Sequence, residues 1–162
     1  MKKALLILDP QNDFFGEDNP NLSAFQATIS VINAAIAFFR EQQWPVIFIQ
    51  HTSKRKPKDS EIWKINPQFD YKPGDIYLNK THYSAFWKTD LESILKTYQV
   101  DSVVICGYLA EFCVLSTQRE AQERGFEAAI LENSIASLDD HHTQIVLDQS
   151  PRITLDHLKG PN

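Results

Sequence analysis

The chain has 162 residues, a length that fits one domain spanning residues 1–162 and leaves little room for a second. Apolar residues make up 43% and charged residues 23%, the usage of a folded globular protein, which argues against intrinsic disorder. Sixteen Lys and Arg against twenty-one Asp and Glu leave a net charge of −5. We therefore expect neither a nucleic acid nor a membrane surface as a partner.

The amino-terminal segment lacks the pattern of a targeting signal. Its apolar run at residues 4–8 ends at Asp9, short of the length of a signal-peptide core, and no segment approaches the roughly 20 apolar residues that span a bilayer. The expected location is the cytoplasm. Two cysteines, Cys106 and Cys113, are too few for a disulfide framework, so we expect one packed thiol and one reactive thiol.

Strand and helix patterns alternate along the chain. Residues 3–8 and 46–49 are continuous apolar runs, typical of strands buried on both faces. Apolar residues at helical spacing from residue 21 to about residue 43 complete a strand–helix–strand crossover, which requires parallel strands. Further strands are predicted at 76–78, 103–106 and 127–131, and further helices at 88–98, from 112 or 113 to 125, and from 137–140 onward with Ile145, Val146 and Leu147 inward, before a Pro-containing tail after residue 150. This order predicts a three-layer α/β domain, with a doubly wound, mainly parallel sheet and helices on both faces.

A long polar segment, residues 51–74, separates the second and third predicted strands. Its basic residues Lys54, Arg55, Lys56 and Lys58 have few aromatic neighbours, and the whole chain is acidic, so we interpret the cluster as a solvated loop and not as a nucleic-acid site. Long loops in compact domains are usually functional or flexible. This one is expected to fold over a site or to pack on a partner subunit.

Three predicted strands lead into side chains that carry chemistry, where open α/β sheets bind their ligands. Asp9 follows the first strand, Lys80 follows the third, and Cys113 lies at or near the start of the helix after the fourth. The helix dipole and unpaired N–H groups favour a thiolate at Cys113, the candidate nucleophile, whereas Cys106 inside an apolar strand is assigned to the core. Taken alone, Asp9 could equally cap a turn and Lys80 could be a solvated surface residue.

Three motifs in order resemble those of the isochorismatase-like cysteine hydrolases, a family related to the nicotinamidases. They are Asp9-x-Gln11-x-Asp13-Phe14, then Lys80-x-x-x-Ser84-Ala85-Phe86, then Gly107 with Cys113-Val114 and Thr117. The resemblance covers the chain from about residue 5 to about residue 147. It implies a doubly wound α/β fold and leaves the substrate open.

The same resemblance implies a catalytic triad of Asp9, Lys80 and Cys113. Asp9 would take the proton of Cys113 and later deliver it to the leaving amine, while Lys80 holds Asp9 and stabilises negative charge. A thioester would form. By the same resemblance a non-proline cis peptide bond joins Tyr108 to Leu109, and the N–H groups of Leu109 and Cys113 hold the oxyanion.

Departures from the family narrow the expected activity. Nicotinamidases of the family bind a metal through an Asp-x-His pair after the second strand and a further His, but here that stretch reads Gln50-His51-Thr52-Ser53. His51 and His82 could still bind a metal, but two unpaired histidines without a nearby carboxylate favour the absence of a metal, and no cofactor is expected. Isochorismatases proper act on a vinyl ether and lack the cysteine, so Cys113 argues against that chemistry.

Aromatic residues beside the motifs predict the wall of a substrate pocket. Gln11, Phe14, Tyr83 and Tyr108 are assigned to substrate binding, although the Gln11 amide could equally fix the loop. The substrate would be a small planar or cyclic amide. The family is commonly dimeric or tetrameric, so we expect a homo-oligomer, with residues 62–71 as a candidate interface.

Other functions compete with the amide-cleaving enzyme. The chain could be a catalytically idle family member that acts as a binding or assembly module, or an isochorismatase-type hydrolase. Alkylation distinguishes the enzyme from the idle module. In the enzyme the reagent should modify Cys113 much faster than Cys106, whereas in the idle module both cysteines should react equally slowly. A nucleotide-binding protein ranks last, since no G-x-G-x-x-G or G-x-x-x-x-G-K-[ST] follows a predicted strand.

Overall fold

The structure is a computed structural model, and it describes residues 1–160. The strands are Lys3–Leu8 (β1), Val46–His51 (β2), Ile76–Lys80 (β3), Ser102–Tyr108 (β4), Glu127–Ala136 (β5) and Arg152–Ile153 (β6). The α-helices are Leu22–Glu41 (α1), Leu91–Thr97 (α2), Leu115–Glu123 (α3), Asp140–Gln149 (α4) and Leu155–Lys159 (α5). A 3₁₀ turn, Asn12–Phe15, follows β1, and a π-helical turn, Ala110–Val114, follows β4. The last two residues of the predicted domain, 161 and 162, lie outside the described residues.

The six strands found in residues 1–160 are all parallel, in the order β3-β2-β1-β4-β5-β6. From β1 the chain winds outward through β2 and β3, and then returns to the other side of β1 to add β4, β5 and β6. This confirms the doubly wound prediction. The winding direction reverses between β1 and β4, so a crevice opens beyond their carboxyl ends, where ligands bind in such sheets.

Helices cover both faces of the sheet, because successive side chains of a buried strand point to opposite faces. Leu5 and Ile7 of β1 belong to one apolar cluster with α1 and α5. Leu6 and Leu8 belong to a second cluster with α2, α3 and α4. Both faces of β1 are therefore buried, which explains its uninterrupted apolar sequence and confirms the three-layer prediction.

Helix α1 is long and apolar enough to cross a membrane by length and composition, with a mean hydropathy of 1.6. The expectation that no segment approaches this length was therefore wrong. Among residues 1–160 this is the one helix that meets the criterion. Its residues Phe25, Ile32 and Phe39 are fully buried and pack in the same cluster as Leu5 of β1, so in this structure α1 is a core helix.

The carboxyl-terminal part contains more regular structure than the sequence pattern predicts. Strand β5 continues five residues beyond its predicted end, and the predicted tail forms β6, which pairs with β5, and α5. In α4 the inward residue is Val146, whereas Ile145 is 39% exposed and was wrongly placed inward. A two-residue strand has no periodicity, so no sequence pattern announces β6.

Strand β4 passes very close to β1 at Gly107. A Cβ atom on this residue would lie 2.0 Å from the backbone oxygen of Leu8, and the φ angle of Gly107 is 109°. Side chains are excluded both by the contact and by the backbone conformation. The two strand ends therefore leave the sheet next to each other, directly before the residues that form the site.

Two anchors hold the long segment between β2 and β3 against the domain. At its start, the buried side chain of Gln11 bonds to the backbone of His51 and Trp63. At its end, the Arg40 guanidinium of α1 forms ion pairs with Asp70 at 2.9 Å and with Asp75 at 2.6 Å. The segment is thus an ordered part of the domain surface.

Candidate active site

The three residues predicted at the strand ends meet beyond the sheet. The Sγ atom of Cys113 lies 3.2 Å from Oδ2 of Asp9 and 3.0 Å from Nζ of Lys80. Nζ of Lys80 lies 3.4 Å from the other oxygen of Asp9, Oδ1. All three residues are buried, with 3%, 1% and 5% exposure for Asp9, Lys80 and Cys113. A thiol, a carboxylate and an ammonium thus share one small, buried volume.

Asp9 reaches this position because the chain turns sharply after β1. Its φ angle is 52°, a left-handed conformation that Asp tolerates better than most residues, and its N–H donates to Ile49 of β2 at 2.8 Å. Within residues 1–160 its buried Oδ1 accepts no hydrogen bond. The nearby charge of Lys80 is what compensates that oxygen.

Lys80 is the last residue of β3 and lies beside His51, the last residue of β2. Its Nζ contacts Nδ1 of His51 at 2.8 Å and donates to the backbone oxygen of His82 at 2.9 Å. With the contacts to Asp9 and Cys113, the buried ammonium is surrounded by acceptors. A buried lysine with this many partners is not the solvated residue that an isolated strand-end Lys suggests.

The electrostatics of Cys113 differ from the expectation of a dipole-stabilised thiolate. Cys113 lies in the π-helical turn before α3, and burial, followed by the negative charge of Asp9, raises its pKa to about 12. Lys80 acts in the opposite direction without overcoming these effects. The resting group is therefore a thiol that donates to Asp9, because desolvation and a neighbouring carboxylate outweigh the helix dipole.

Three potential metal ligands lie together, contrary to the expectation that no carboxylate is near the histidines. Ligand atoms of Asp9, His51 and Cys113 fall within 4.8 Å of one another. However, Nζ of Lys80 already contacts all three side chains, and its positive charge would repel a metal ion there. Burial and then Lys80 lower the pKa of His51 to about 4, so its ring is neutral. The donor set does not fit a metal centre, and the absence of a metal stays a prediction.

A cavity of about 560 Å³ opens beside Cys113. Phe14 and Tyr83, two of the residues assigned to substrate binding, line it together with His51 and Leu109, and their role toward a substrate stays a prediction. The Tyr108–Leu109 peptide bond is cis, at the position that the resemblance implies. The other lining residues include Asp13, Asp18, Asn19, Pro20, Ser53, Arg55, Lys56, Ile62, Phe112 and Leu138.

Gln11 does not line the cavity. Its side chain is fully buried, and its Nε2 donates to the backbone oxygens of His51 at 3.1 Å and Trp63 at 2.8 Å. Its Oε1 accepts from the N–H of His51 at 2.9 Å. With these bonds its amide fixes the loop, the second of the two predicted roles, and the assignment to substrate binding is corrected.

Tyr108 also belongs to the core and not to the substrate wall. Its ring is fully buried and stacks on Phe25 with centroids 4.7 Å apart, and its hydroxyl hydrogen-bonds Thr28 at 2.5 Å. Val104, Cys106 and Tyr108 alternate along β4 onto the α1 face, whereas Cys113 packs in the opposite cluster. The period of two along the strand is the signal that could have placed Tyr108 correctly.

Sequence reasoning missed a second charged pair in the cavity wall. Nζ of Lys56 lies 2.9 Å from Oδ2 of Asp13 and 5.0 Å from the ring centroid of Phe14. Lys56 is buried, so it is not part of a solvated loop. Burial raises the pKa of Asp13, with Lys56 opposing the shift. Thus part of the basic cluster of the long segment is built into the cavity.

An α/β fold with a cysteine, a carboxylate and a lysine joined at the switch point of the sheet defines the class of protein. Comparison with known proteins then gives the family. The family model of the isochorismatase domain matches residues 3–151. The chain belongs to the isochorismatase family and is a hydrolase of that family.

Individual proteins are similar to this chain in sequence or in fold. The uncharacterized isochorismatase family protein YrdC of Bacillus subtilis is 34% identical over 145 residues, covering 84% of this chain and 74% of that protein. The isochorismatase-like hydrolase from Alkaliphilus metalliredigens superimposes with a TM-score of 0.88 at 24% identity, over 98% of this chain and 97% of that chain. The N-carbamoylsarcosine amidase from Thermoplasma acidophilum has a TM-score of 0.76 at 25% identity, over 90% and 93%.

Proposed function

We propose that this protein is a cysteine hydrolase that cleaves the C–N bond of a small amide. The observation that carries the proposal is the contact of the Cys113 thiol with both Asp9 and Lys80, beside a cavity that can hold a small molecule. An amidase among its structural relatives supports amide chemistry. The substrate is treated as a carbonyl compound whose nitrogen leaves as an amine or ammonia.

The first step joins sulfur to the substrate. Asp9 accepts the proton of Cys113 through the contact at 3.2 Å, and the sulfur attacks the carbonyl carbon. Lys80, 3.0 Å from the sulfur, stabilises the developing thiolate. The carbonyl oxygen becomes an oxyanion, for which the N–H groups of Leu109 and Cys113 are the proposed donors. Within residues 1–160 the N–H of Leu109 donates to no other backbone oxygen, so it is available for this role.

The second step breaks the C–N bond. As the oxyanion collapses, Asp9 returns its proton to the leaving nitrogen, and the acyl group remains on Cys113 as a thioester. Asp9 then takes a proton from a water molecule, which attacks the thioester carbon. The C–S bond breaks, the carboxylic acid leaves, and the proton on Asp9 returns to the sulfur. Both halves therefore use Asp9 as the proton carrier.

The raised pKa of Cys113 gives this mechanism a specific requirement. A thiol that is neutral in the free enzyme reacts only when a base removes its proton. Catalysis therefore depends on the contact with Asp9 and not on a cysteine that is already deprotonated. The contact also explains why burial of Cys113 is compatible with reactivity. The base is already within hydrogen-bonding distance.

Ammonia release from a panel of small amides tests the proposal. We expect the wild type to cleave at least one of nicotinamide, pyrazinamide and cyclic ureides, Cys113→Ala to cleave none, and Cys106→Ala to keep the activity. Acid quenching during turnover should give an acyl adduct on Cys113 by mass spectrometry. Full activity in Cys113→Ala would refute the mechanism. No cleavage, with Cys113 alkylated no faster than Cys106, would favour the idle binding module.

A further inference from the structure

The charges at the cavity wall point to a class of substrate. We propose that the preferred amide carries a negative charge, such as a carboxylate, and that Arg55 binds it. This inference rests on the proposed function, because it concerns the substrate of the same cavity. It assigns a specificity role to a residue outside the catalytic contacts.

Two lysines near Cys113 are already neutralised by partners. Lys56 lines the cavity and forms an ion pair with Asp13 at 2.9 Å, and Lys80, buried behind Cys113 and not part of the lining, lies 3.4 Å from Asp9. Neither is available to balance a further negative charge without losing its present partner. A charged ligand would therefore need a different cation.

Arg55 meets that need. It lines the cavity and is exposed, and within residues 1–160 its side chain forms neither an ion pair nor a hydrogen bond. A guanidinium presents a planar set of donors that matches a carboxylate in two parallel bonds. The guanidinium of Arg55 is therefore free to bind a ligand in the same cavity that Cys113 lines.

The neighbours of Arg55 add to its field. Lys54 and Lys58 are exposed on the same segment, and neither forms an ion pair within the described part of the chain. The protein as a whole carries a net charge of −5, whereas this stretch beside the cavity is positively charged. A locally positive surface on an acidic protein favours the approach of small anions.

Asp18 is the opposing charge, and it also lines the cavity. Its Oδ1 lies close to the Gly16 backbone, only 2.6 Å from where a Cβ on Gly16 would stand, so the carboxylate lies against its own turn. Asp18 would lower the affinity of the cavity for an anion, and Arg55 would raise it. Substitutions at the two positions should therefore move anion preference in opposite directions.

Two alkylating reagents measure this preference at Cys113 without knowledge of the substrate. Iodoacetate carries a carboxylate, whereas iodoacetamide is a neutral amide of nearly the same size. The ratio of their rate constants, divided by the same ratio for glutathione, removes intrinsic thiol reactivity. We expect a value raised about fivefold in the wild type, the size of one favourable unit charge at a few ångströms in water. Salt at about 0.5 M should reduce it.

Variants assign the effect to its residue. Arg55→Gln should lower this normalised ratio to about one, the value at which Cys113 prefers iodoacetate no more than glutathione does. Asp18→Asn should raise the normalised ratio above the wild-type value. Lys58→Gln is the matched control, since Lys58 is an exposed cation of the same segment that does not line the cavity, and it should change the ratio less than twofold. An unraised wild-type ratio, or an unchanged ratio in Arg55→Gln, would overturn the proposal.

A binding measurement separates this proposal from the proposed function. Succinamate and succinamide form a matched charged and neutral pair, and their affinities for Cys113→Ser can be measured by calorimetry. We expect succinamate to bind about fivefold more tightly, and Arg55→Gln in the same background to abolish the difference. If Cys113 proves unreactive while this difference holds, the reaction is wrong and the anion site stands. If Cys113 reacts but neither the alkylation rates nor the affinities depend on the charge of the ligand, the anion site is wrong and the reaction stands.

Discussion

The two cysteines are seven positions apart and show what converts a buried thiol into a candidate nucleophile. Cys106 lies inside β4, fully buried, with its sulfur 3.5 Å from the backbone oxygen of Leu6. Cys113 lies beyond the strand, with 5% exposure, against Asp9 and Lys80. Burial raises the pKa of both thiols. The difference is therefore not acidity at rest but the presence of a base, a cation and a path to solvent.

Removing each thiol in turn is the strongest test of this comparison. Cys113→Ala should reduce kcat/KM for amide cleavage about 10⁴-fold or more, because the atom that forms the thioester is lost. Cys106→Ala should leave kcat/KM within a factor of two and lower the free energy of unfolding by about 1 kcal/mol, as expected for a small buried group. Steady-state kinetics and urea unfolding check both values. Comparable kinetic losses in the two variants would remove the distinction.

The base can be tested without touching the sulfur. Asp9→Asn keeps the size of the side chain but not its proton affinity, so kcat should fall about 10²- to 10⁴-fold. Asp13→Asn is the matched control, because Asp13 is also a cavity carboxylate that pairs with a lysine but does not contact Cys113. We expect its effect on kcat to stay below about tenfold. Equal losses would mean that charge in the cavity, and not proton transfer, limits the reaction.

The backbone between the two cysteines can be disturbed at Gly107. Gly107→Ala should destabilise the protein by about 3–5 kcal/mol, because the added Cβ meets the Leu8 oxygen at 2.0 Å and the φ angle is 109°. Gly125→Ala has a comparable φ of 90° but nothing within 4 Å of the new Cβ, so about 1 kcal/mol is expected. Urea unfolding of both variants isolates the contact. Similar destabilisation in both would show that only the φ angle matters.

The property that the two cysteines share gives the smallest effect. Each thiol has a raised pKa in the folded protein and an ordinary one near 9 when unfolded, so its stabilising contribution is complete below pH 9 and is lost as the pH rises above it. Cys106→Ala and Cys113→Ala should each flatten the fall of unfolding free energy between pH 9 and 11. Denaturant unfolding at several pH values measures the slopes. An unchanged slope in either variant would contradict the raised pKa of that thiol.

Much of the fold could be predicted because β1, β2 and β4 are buried on both faces. Double burial imposes apolar runs that end close to the observed strand ends. Strand β6 could not be found in this way, since two residues after Pro151 have no period to detect. The extension of β5 beyond residue 131 was missed because these residues are a strand by virtue of their pairing with β4, which local composition does not encode.

The site residues could be predicted where they follow from strand ends and motifs. The prediction failed where a residue's position depends on contacts between distant parts of the chain. Asp9, Lys80 and Cys113 each occupy a place that the strand order dictates. The Lys56 contact with Asp13 joins positions 43 residues apart through an irregular segment, so no spacing rule announces it. The expected thiolate at Cys113 failed for a different reason, because the helix dipole was considered without the desolvation and the carboxylate that oppose it.

The anchoring of the long segment by Gln11 and Arg40 has a consequence for how ligands are selected. Since Ser53, Lys56 and Ile62 belong to a segment tied at both ends, this wall of the cavity is ordered before a ligand arrives. Binding then carries no large conformational-entropy penalty for closing that wall. Selectivity among ligands should therefore depend on how well each ligand fits the preformed cavity wall. Association should proceed without a slow conformational step.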